Sequence, residues 1–314
     1  MKVYRGIESV DPPLTGVILA VGNFDGLHRG HQQILAQACT LASRDRSAAV
    51  VITFDRHPLT VLDPPRAPQP LTPIQHRLAL IADCGVHATV VLRSESDLLS
   101  LWPEQFIEQI VIRRFRPRAM VEGRSWRFGR HRQGDIDVLQ ALGRRHGFAV
   151  CVVPDLTIEL QPGQPVLVSS SLIRRMISDR QMHQASLCLG RPYSLWGRVV
   201  PGDRRGGQLG VPTANIEVAD QLVPPPGVYA GRAYVGRQNL PAAVHIGPAP
   251  TFNRSRALVE AHLLDFDGQL YDQPIRLELL RWIRGLASFP TAQQLGRQIQ
   301  HDLHRVRSVI ESST

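Results

Sequence analysis

The chain is expected to fold as a doubly wound α/β domain built on a parallel sheet, followed by a small antiparallel β-barrel closed by a C-terminal helix. Three observations carry this. Apolar β-rich runs alternate with helical periodicity through the first half. From about residue 195 the pattern changes to short alternating runs separated by Gly, Pro, Asn and Asp. Finally, 314 residues with 43% hydrophobic and 20% charged content suffice for two cores.

The first element is the apolar run Val17 to Val21, which enters V-G-N-F-D-G-L-H-R-G-H, Val21 to His31, and then an amphipathic segment. Strand, glycine turn and helix start is the order this spells. Gly22, Gly26 and Gly30 let the backbone bend and approach a ligand, while Asn23, Phe24 and Asp25 complete the turn and His28 and His31 flank the helix entry. Open N–H groups and the positive helix end favour an anion there, and two imidazoles can meet phosphate oxygens as charge builds during displacement at phosphorus. A zinc site fits poorly, because the spacing of three is not the helical H-E-x-x-H pattern and no third ligand lies nearby. Solvated turn histidines are the remaining local alternative.

Helical spacing runs from Ile34 to Ala42, and Ala48 to Phe54 is the next strand. Pro58 to Pro73 is too proline-rich for regular structure, and Thr72-Pro73 reads as a cap and first-turn proline opening a helix to about Cys84. A strand at His87 to Leu92, a helix at Trp102 to Arg114 and a strand at Ala119 to Val121 lead into E-G-R-S-W-R-F-G-R-H-R-Q-G-D. Helix Asp135 to Arg145 and strand Phe148 to Val153 complete the sheet, and V-S-S-S-L-I-R-R, Val168 to Arg175, reads as a serine-capped helix start. A short helix, Gln181 to Leu187, precedes the linker L-G-R-P-Y-S at Leu189 to Ser194, which sets domains of 1–188 and 189–314.

Barrel strands are expected at Leu195 to Val200, Gly227 to Val235, Ala242 to Ile246, Leu258 to Phe266 and Ile275 to Leu280, with a helix from about Ala292 to Val309. Within them, Thr213 and Asn215 of V-P-T-A-N-I stand two apart on an extended segment and face one way. Their oxygens suit magnesium and ATP phosphates under a flap loosened by Gly206, Gly207 and Gly210. Alternation sets Glu260 opposite to the core-facing Val259 and Ala261.

Bulk composition narrows the function. The formal charge of +9 is almost all arginine, with Lys2 the only lysine, so a Walker loop and a protein-kinase strand lysine are both excluded. Four scattered cysteines without C-x-x-C spacing predict reduced thiols. A start without an apolar leader core, and no stretch of 18 apolar residues, predict a cytoplasmic protein with no membrane partner.

G-N-F-D-G-x-H-x-G-H resembles the adenylyltransferase signature of the bacterial bifunctional riboflavin kinase/FMN adenylyltransferase (FAD synthetase) family, and further motifs follow in that family's order. Gly123, Arg127, Phe128, Gly129, Arg132 and Gly134 resemble its second motif, with Ser125 in the place of an Asp or Asn and Trp126 in that of Phe. Ser169, Ser170, Ser171 and Arg174 resemble its third, S-S-T-x-I-R, and P-T-A-N resembles its kinase hallmark. V-E-A-H-L-L-D-F matches its acid-bearing strand; H-I-G-P-A-P-T-F carries His245 for Asn, and W-I-R-G-L-A-S-F keeps Arg284 with Leu286 at an acidic place. The resemblance implies a Rossmann-like nucleotidyltransferase domain and a riboflavin kinase barrel, which together make FMN from riboflavin and FAD from FMN with ATP and Mg2+. It also implies that Glu260 takes the proton of the riboflavin 5′-hydroxyl, that His28 and His31 act on the polyphosphate, and that Gly123, Ser125, Trp126, Phe128, Arg132 and Arg284 lie at flavin. Two other readings stay open: a riboflavin kinase whose adenylyltransferase module is weakened at Ser125 and Trp126, and an arginine-rich nucleic-acid binder. Aromatics at 6%, with no aromatic ladder among the arginines, count against nucleic acid.

Overall fold

A computed structural model describes residues 1–201, 211–248 and 257–312. The chain divides into two compact units, Met1–Ser170 and Ser171–Thr314, so the helices Ser170–Ser178 and Met182–Leu189 group largely with the second, ahead of the expected linker.

The first unit is a six-stranded parallel sheet of β1 (Lys2–Arg5), β2 (Ile18–Val21), β3 (Ala49–Phe54), β4 (Ala88–Leu92), β5 (Ala119–Gly123) and β6 (Ala149–Val153), in the order β1-β4-β3-β2-β5-β6. Strands β2 to β4 step in one direction and β5 and β6 in the other, so the winding reverses between β2 and β5. That reversal opens a crevice at the strand C-termini, where such sheets bind ligands. Strands β2 and β5 pair only through Ile18 with Ala119 and Leu19 with Met120, and then part. At the break the buried Glu122 carboxyl accepts the Val21 N–H at 2.7 Å, replacing the lost ladder bond. Burial raises the pKa of Glu122 well above the ordinary carboxylate value, so this carboxyl favours its neutral form.

Alternation of strands with the helices Arg29–Arg44, Ile74–Asp83 and Ile136–His146 agrees with the sequence reading. Several details differ. Edge strand β1 and the exposed hairpin of β7 (Thr157–Gln161) and β8 (Gln164–Leu167) are additions. Pro58 to Pro73 holds two short helical turns, Leu59–Leu62 and Pro64–Arg66. The helix through Pro103–Phe106 and Arg113–Phe115 widens to a π-helix over Ile107–Ile112. Pro73, rather than Thr72, takes the cap position before Ile74, with no side-chain cap bond, since proline has no side-chain acceptor; the Thr72 N–H donates to the Asp25 carboxylate.

In the second unit, β9 (Tyr193–Val200), β10 (Ala214–Val218), β11 (Gly227–Val235), β12 (Gln238–Gly247), β13 (Leu258–Leu263) and β14 (Pro274–Arg284) close into an antiparallel barrel ordered β10-β13-β12-β11-β14-β9. Ile216, Tyr229, Val244, Ile246, Val259, Ala261 and Leu277 are buried on one face of their strands. Outside the barrel, the amphipathic helix Ala292–Glu311 lays Val306 and Val309 on Val228, Ala230 and Ile283.

Candidate active sites

The turn after β2 is held in an unusual backbone. Phe24 and Leu27 sit at φ 49° and 36° and Gly26 at 77°, so two non-glycine residues occupy the left-handed region. Long-range polar bonds hold them there. The buried Asp25 carboxylate accepts the N–H groups of Leu71 at 2.9 Å and Thr72 at 3.1 Å. The Asp25 carbonyl accepts the Ser170 hydroxyl at 2.9 Å. Asp25, expected at phosphate, therefore fastens its loop to the segment before the helix Ile74–Asp83.

His28 caps the helix Arg29–Arg44, its Nδ1 accepting the His31 N–H at 3.3 Å. The two imidazoles stack at 3.6 Å and 19°, and Phe24 meets the His31 ring edge-on at 5.2 Å. A Cβ on Gly30 would come within 3.3 Å of the His28 ring, and one on Gly22 equally close to Phe24. Burial, reinforced by His28 and then Arg77, lowers the His31 pKa well below its ordinary value. His31 is thus a neutral imidazole at pH 7 in the absence of a ligand.

Arg77 escaped the sequence reading. Buried on the helix Ile74–Asp83, it donates to the carbonyls of Asn23 at 2.6 Å and Phe54 at 2.9 Å, tying the turn to the end of β3. The available signal was an arginine in register with Ile74, Leu78 and Ile81 on the apolar face. Asn23 Oδ1, His31 Nδ1 and Arg77 Nε are all buried without a hydrogen-bond partner. Unsatisfied buried polar atoms are costly and scarce, so three gathered at one turn mark a place shaped for a polar ligand.

At the end of β5 lies the second motif. Trp126 stacks on Phe128 at 4.4 Å, and Phe128 leans on Phe106 at 6.1 Å, so the larger indole has found a half-buried platform. Gly134 pairs with Phe128, and a Cβ there would strike that ring at 2.5 Å. Gly123 ends β5, whereas Ser125 and Arg132 are exposed. In the third motif Val168 is buried, Ser169 and Ser170 are half-buried, Ser171 is exposed and Arg174 lies one turn into the helix.

On the barrel, antiparallel register aligns Val200, Asn215, Glu260, His245 and Val228 as one rung, with Asn215 opposite Glu260 and Glu260 opposite His245. Flanking Val259 and Ala261 are fully buried, so Glu260 points away from the interior as alternation predicted. Its Oε2 lies 3.2 Å from His245 Nδ1. Thr213 is exposed just before β10 and Asn215 lies within it; Gly206, Gly207 and Gly210 of the expected flap, and Thr251 and Phe252, fall outside the described residues. Hydroxyl and amide oxygens are hard donors that suit magnesium, which keeps waters and shares phosphates. Among the described residues no group of three or more His, Cys, Asp or Glu is placed to hold a metal.

Arg284, expected at flavin, spends its guanidinium on structure. It donates to Asp302 at 2.7 to 3.1 Å and to the Gly285 carbonyl at 2.9 Å, while Gln298 adds a bond to Asp302 at 2.8 Å. Asp302 is buried, so Asp302→Ala strands a cation beneath the C-terminal helix. A loss of about 3 kcal/mol is expected, read as a lowered unfolding midpoint.

The FAD synthetase family model matches residues 11–165 and the Riboflavin kinase family model residues 189–310. The bifunctional riboflavin kinase/FMN adenylyltransferase of Escherichia coli K12 is 34% identical over 305 residues, 96% of each chain. That of Pseudomonas fluorescens is 32% identical, covering 100% of this chain and 99% of its own. The solved structure of a protein described as a macrolide-efflux protein, from Streptococcus pneumoniae, shares the fold with a TM-score of 0.87 and 27% identity over 98% of this chain and 99% of that one. Among the described residues of this chain no helix is long and apolar enough to cross a membrane. With both halves matched in order and relatives aligned along nearly the whole length, this chain belongs to the bifunctional riboflavin kinase/FMN adenylyltransferase family.

Proposed function

We propose that the chain makes FAD in two ATP-dependent steps at two separate sites. The barrel phosphorylates riboflavin to FMN with release of ADP, and the α/β domain adenylylates FMN to FAD with release of pyrophosphate. The rung of Asn215, Glu260 and His245 is the observation that carries the first step. Glu260 accepts the proton of the riboflavin 5′-hydroxyl as its oxygen attacks the γ-phosphorus, and Thr213 and Asn215 are the residues that would hold Mg2+ with the phosphates. When bound, the ion offsets charge on the phosphoryl oxygens. For the second step, the three unpartnered polar atoms at the turn support polyphosphate binding by Asn23, His28, His31 and the Gly22-to-Gly30 backbone, and the resemblance of the third motif assigns phosphate contacts to Ser169, Ser170, Ser171 and Arg174. Gly123, Ser125, Trp126, Phe128 and Arg132 form the flavin side of that reading. Arg284 enters the kinase site as a brace for the C-terminal helix. The protein works in the cytoplasm with small-molecule ligands, its arginine excess serving neither nucleic acid nor membrane.

Incubation with riboflavin, ATP and magnesium should yield FMN and then FAD by chromatography, and excess chelator should stop both. FMN without FAD would leave a kinase alone, with the exposed hydroxyl of Ser125 the first suspect; neither product, with salt-dependent RNA binding, would reverse the reading.

A further inference from the structure

We infer that His245 is a positioning residue for the kinase step, holding the Glu260 carboxylate in the orientation from which it takes the hydroxyl proton. The inference rests on Glu260 as the base of the proposed reaction. An ionised carboxylate only accepts hydrogen bonds, so the 3.2 Å contact requires a proton on His245 Nδ1. Glu260 then has Oε2 engaged by the imidazole and Oε1 left to receive the substrate proton.

The imidazole is itself constrained. Two residues on along the same face of β12 stands Gly247, where a Cβ would lie 3.3 Å from His245 Cε1. The ring therefore lies over bare backbone, and any side chain at residue 247 would crowd it. Strand pairing supplies the rest: β12 and β13 set His245 and Glu260 directly opposite, and β10 sets Asn215 on the other side of Glu260. A glutamate on an open barrel face has three rotatable bonds and loses its productive orientation unless a neighbour restrains it. His245 is the described neighbour within hydrogen-bond distance of its carboxylate. Its side chain remains 41% exposed, so replacing it leaves the core untouched.

Steady-state riboflavin kinase kinetics on the full chain test this with three variants. His245→Leu should lower kcat by roughly ten- to a hundredfold, the worth of one hydrogen bond to a charged group. The KM values for riboflavin and ATP, and the unfolding midpoint, should stay near those of the parent protein. His245→Asn, whose amide N–H can reach the same carboxylate, should restore most of kcat. Glu260→Gln should be slow whatever stands at 245. A His245→Leu enzyme with the parent kcat, a loss confined to KM, or a His245→Asn enzyme as slow as His245→Leu would each overturn the role of His245. A Glu260→Gln enzyme at full speed would instead overturn Glu260 as the base.

Discussion

Glu260→Gln is expected to reduce the rate of FMN formation by about 10² to 10⁴-fold, the usual contribution of a positioned general base. The substitution is conservative in the ways that matter. Gln keeps the length of the side chain and an oxygen able to accept the His245 Nδ1–H, so the rung of Asn215, Glu260 and His245 stays intact. What it removes is the ability to hold a proton at the moment the hydroxyl oxygen bonds to phosphorus. The loss should therefore fall on kcat, with little change in the KM for ATP, whose phosphates lie with Thr213 and Asn215 in this reading. FAD formation from added FMN provides an internal control, since it belongs to the other unit. An undiminished kinase rate would remove Glu260 from the chemistry and return it to the status of a solvated strand residue.

How far such a site can be read from sequence depends on how local its physics is. The glycines and imidazoles of Gly22 to His31 were legible because a tight turn and a helix start are set by neighbours in the chain, and Glu260 was legible because strand alternation has a period of two. The fastening role of Asp25 was not legible because its partners are the N–H groups of Leu71 and Thr72, more than forty residues away, and no periodicity carries that contact. Arg77 was missed for the same reason: its carbonyl partners lie on two other segments. Glu122 needed knowledge that β2 and β5 separate after two pairs, which is a property of the twisted sheet and not of either strand alone. The facing of His245 with Glu260 depends on the register between β12 and β13, and composition cannot fix a register across a connection of that length. Arg284 shows another limit: the motif names the residue, but its bond to Asp302, eighteen residues on, brings a helix to the end of a strand and no local pattern carries it.

The second large effect is expected at the other site. His31→Ala should slow FAD formation from FMN and ATP by about 10² to 10³-fold, comparable to removing one well-placed donor from an oxyanion site, while leaving FMN formation intact. The helix is not expected to suffer, because the capping bond runs from the backbone N–H of residue 31 to His28 Nδ1 and an alanine keeps that N–H. Burial makes His31 neutral before substrate arrives, so its role is that of a fixed N–H donor whose proton affinity rises once phosphate charge lies beside it. The same depressed pKa has a sign in stability. Below about pH 6.5 the unfolded chain binds this proton more readily than the folded one, so the fold loses stability as pH falls through the interval between the two pKa values. His31→Ala should therefore lose less of its unfolding midpoint than the parent protein on moving from pH 7.5 to pH 5. Equal losses would show that His31 is not held neutral by burial, and a normal rate of FAD formation would remove it from phosphate chemistry altogether.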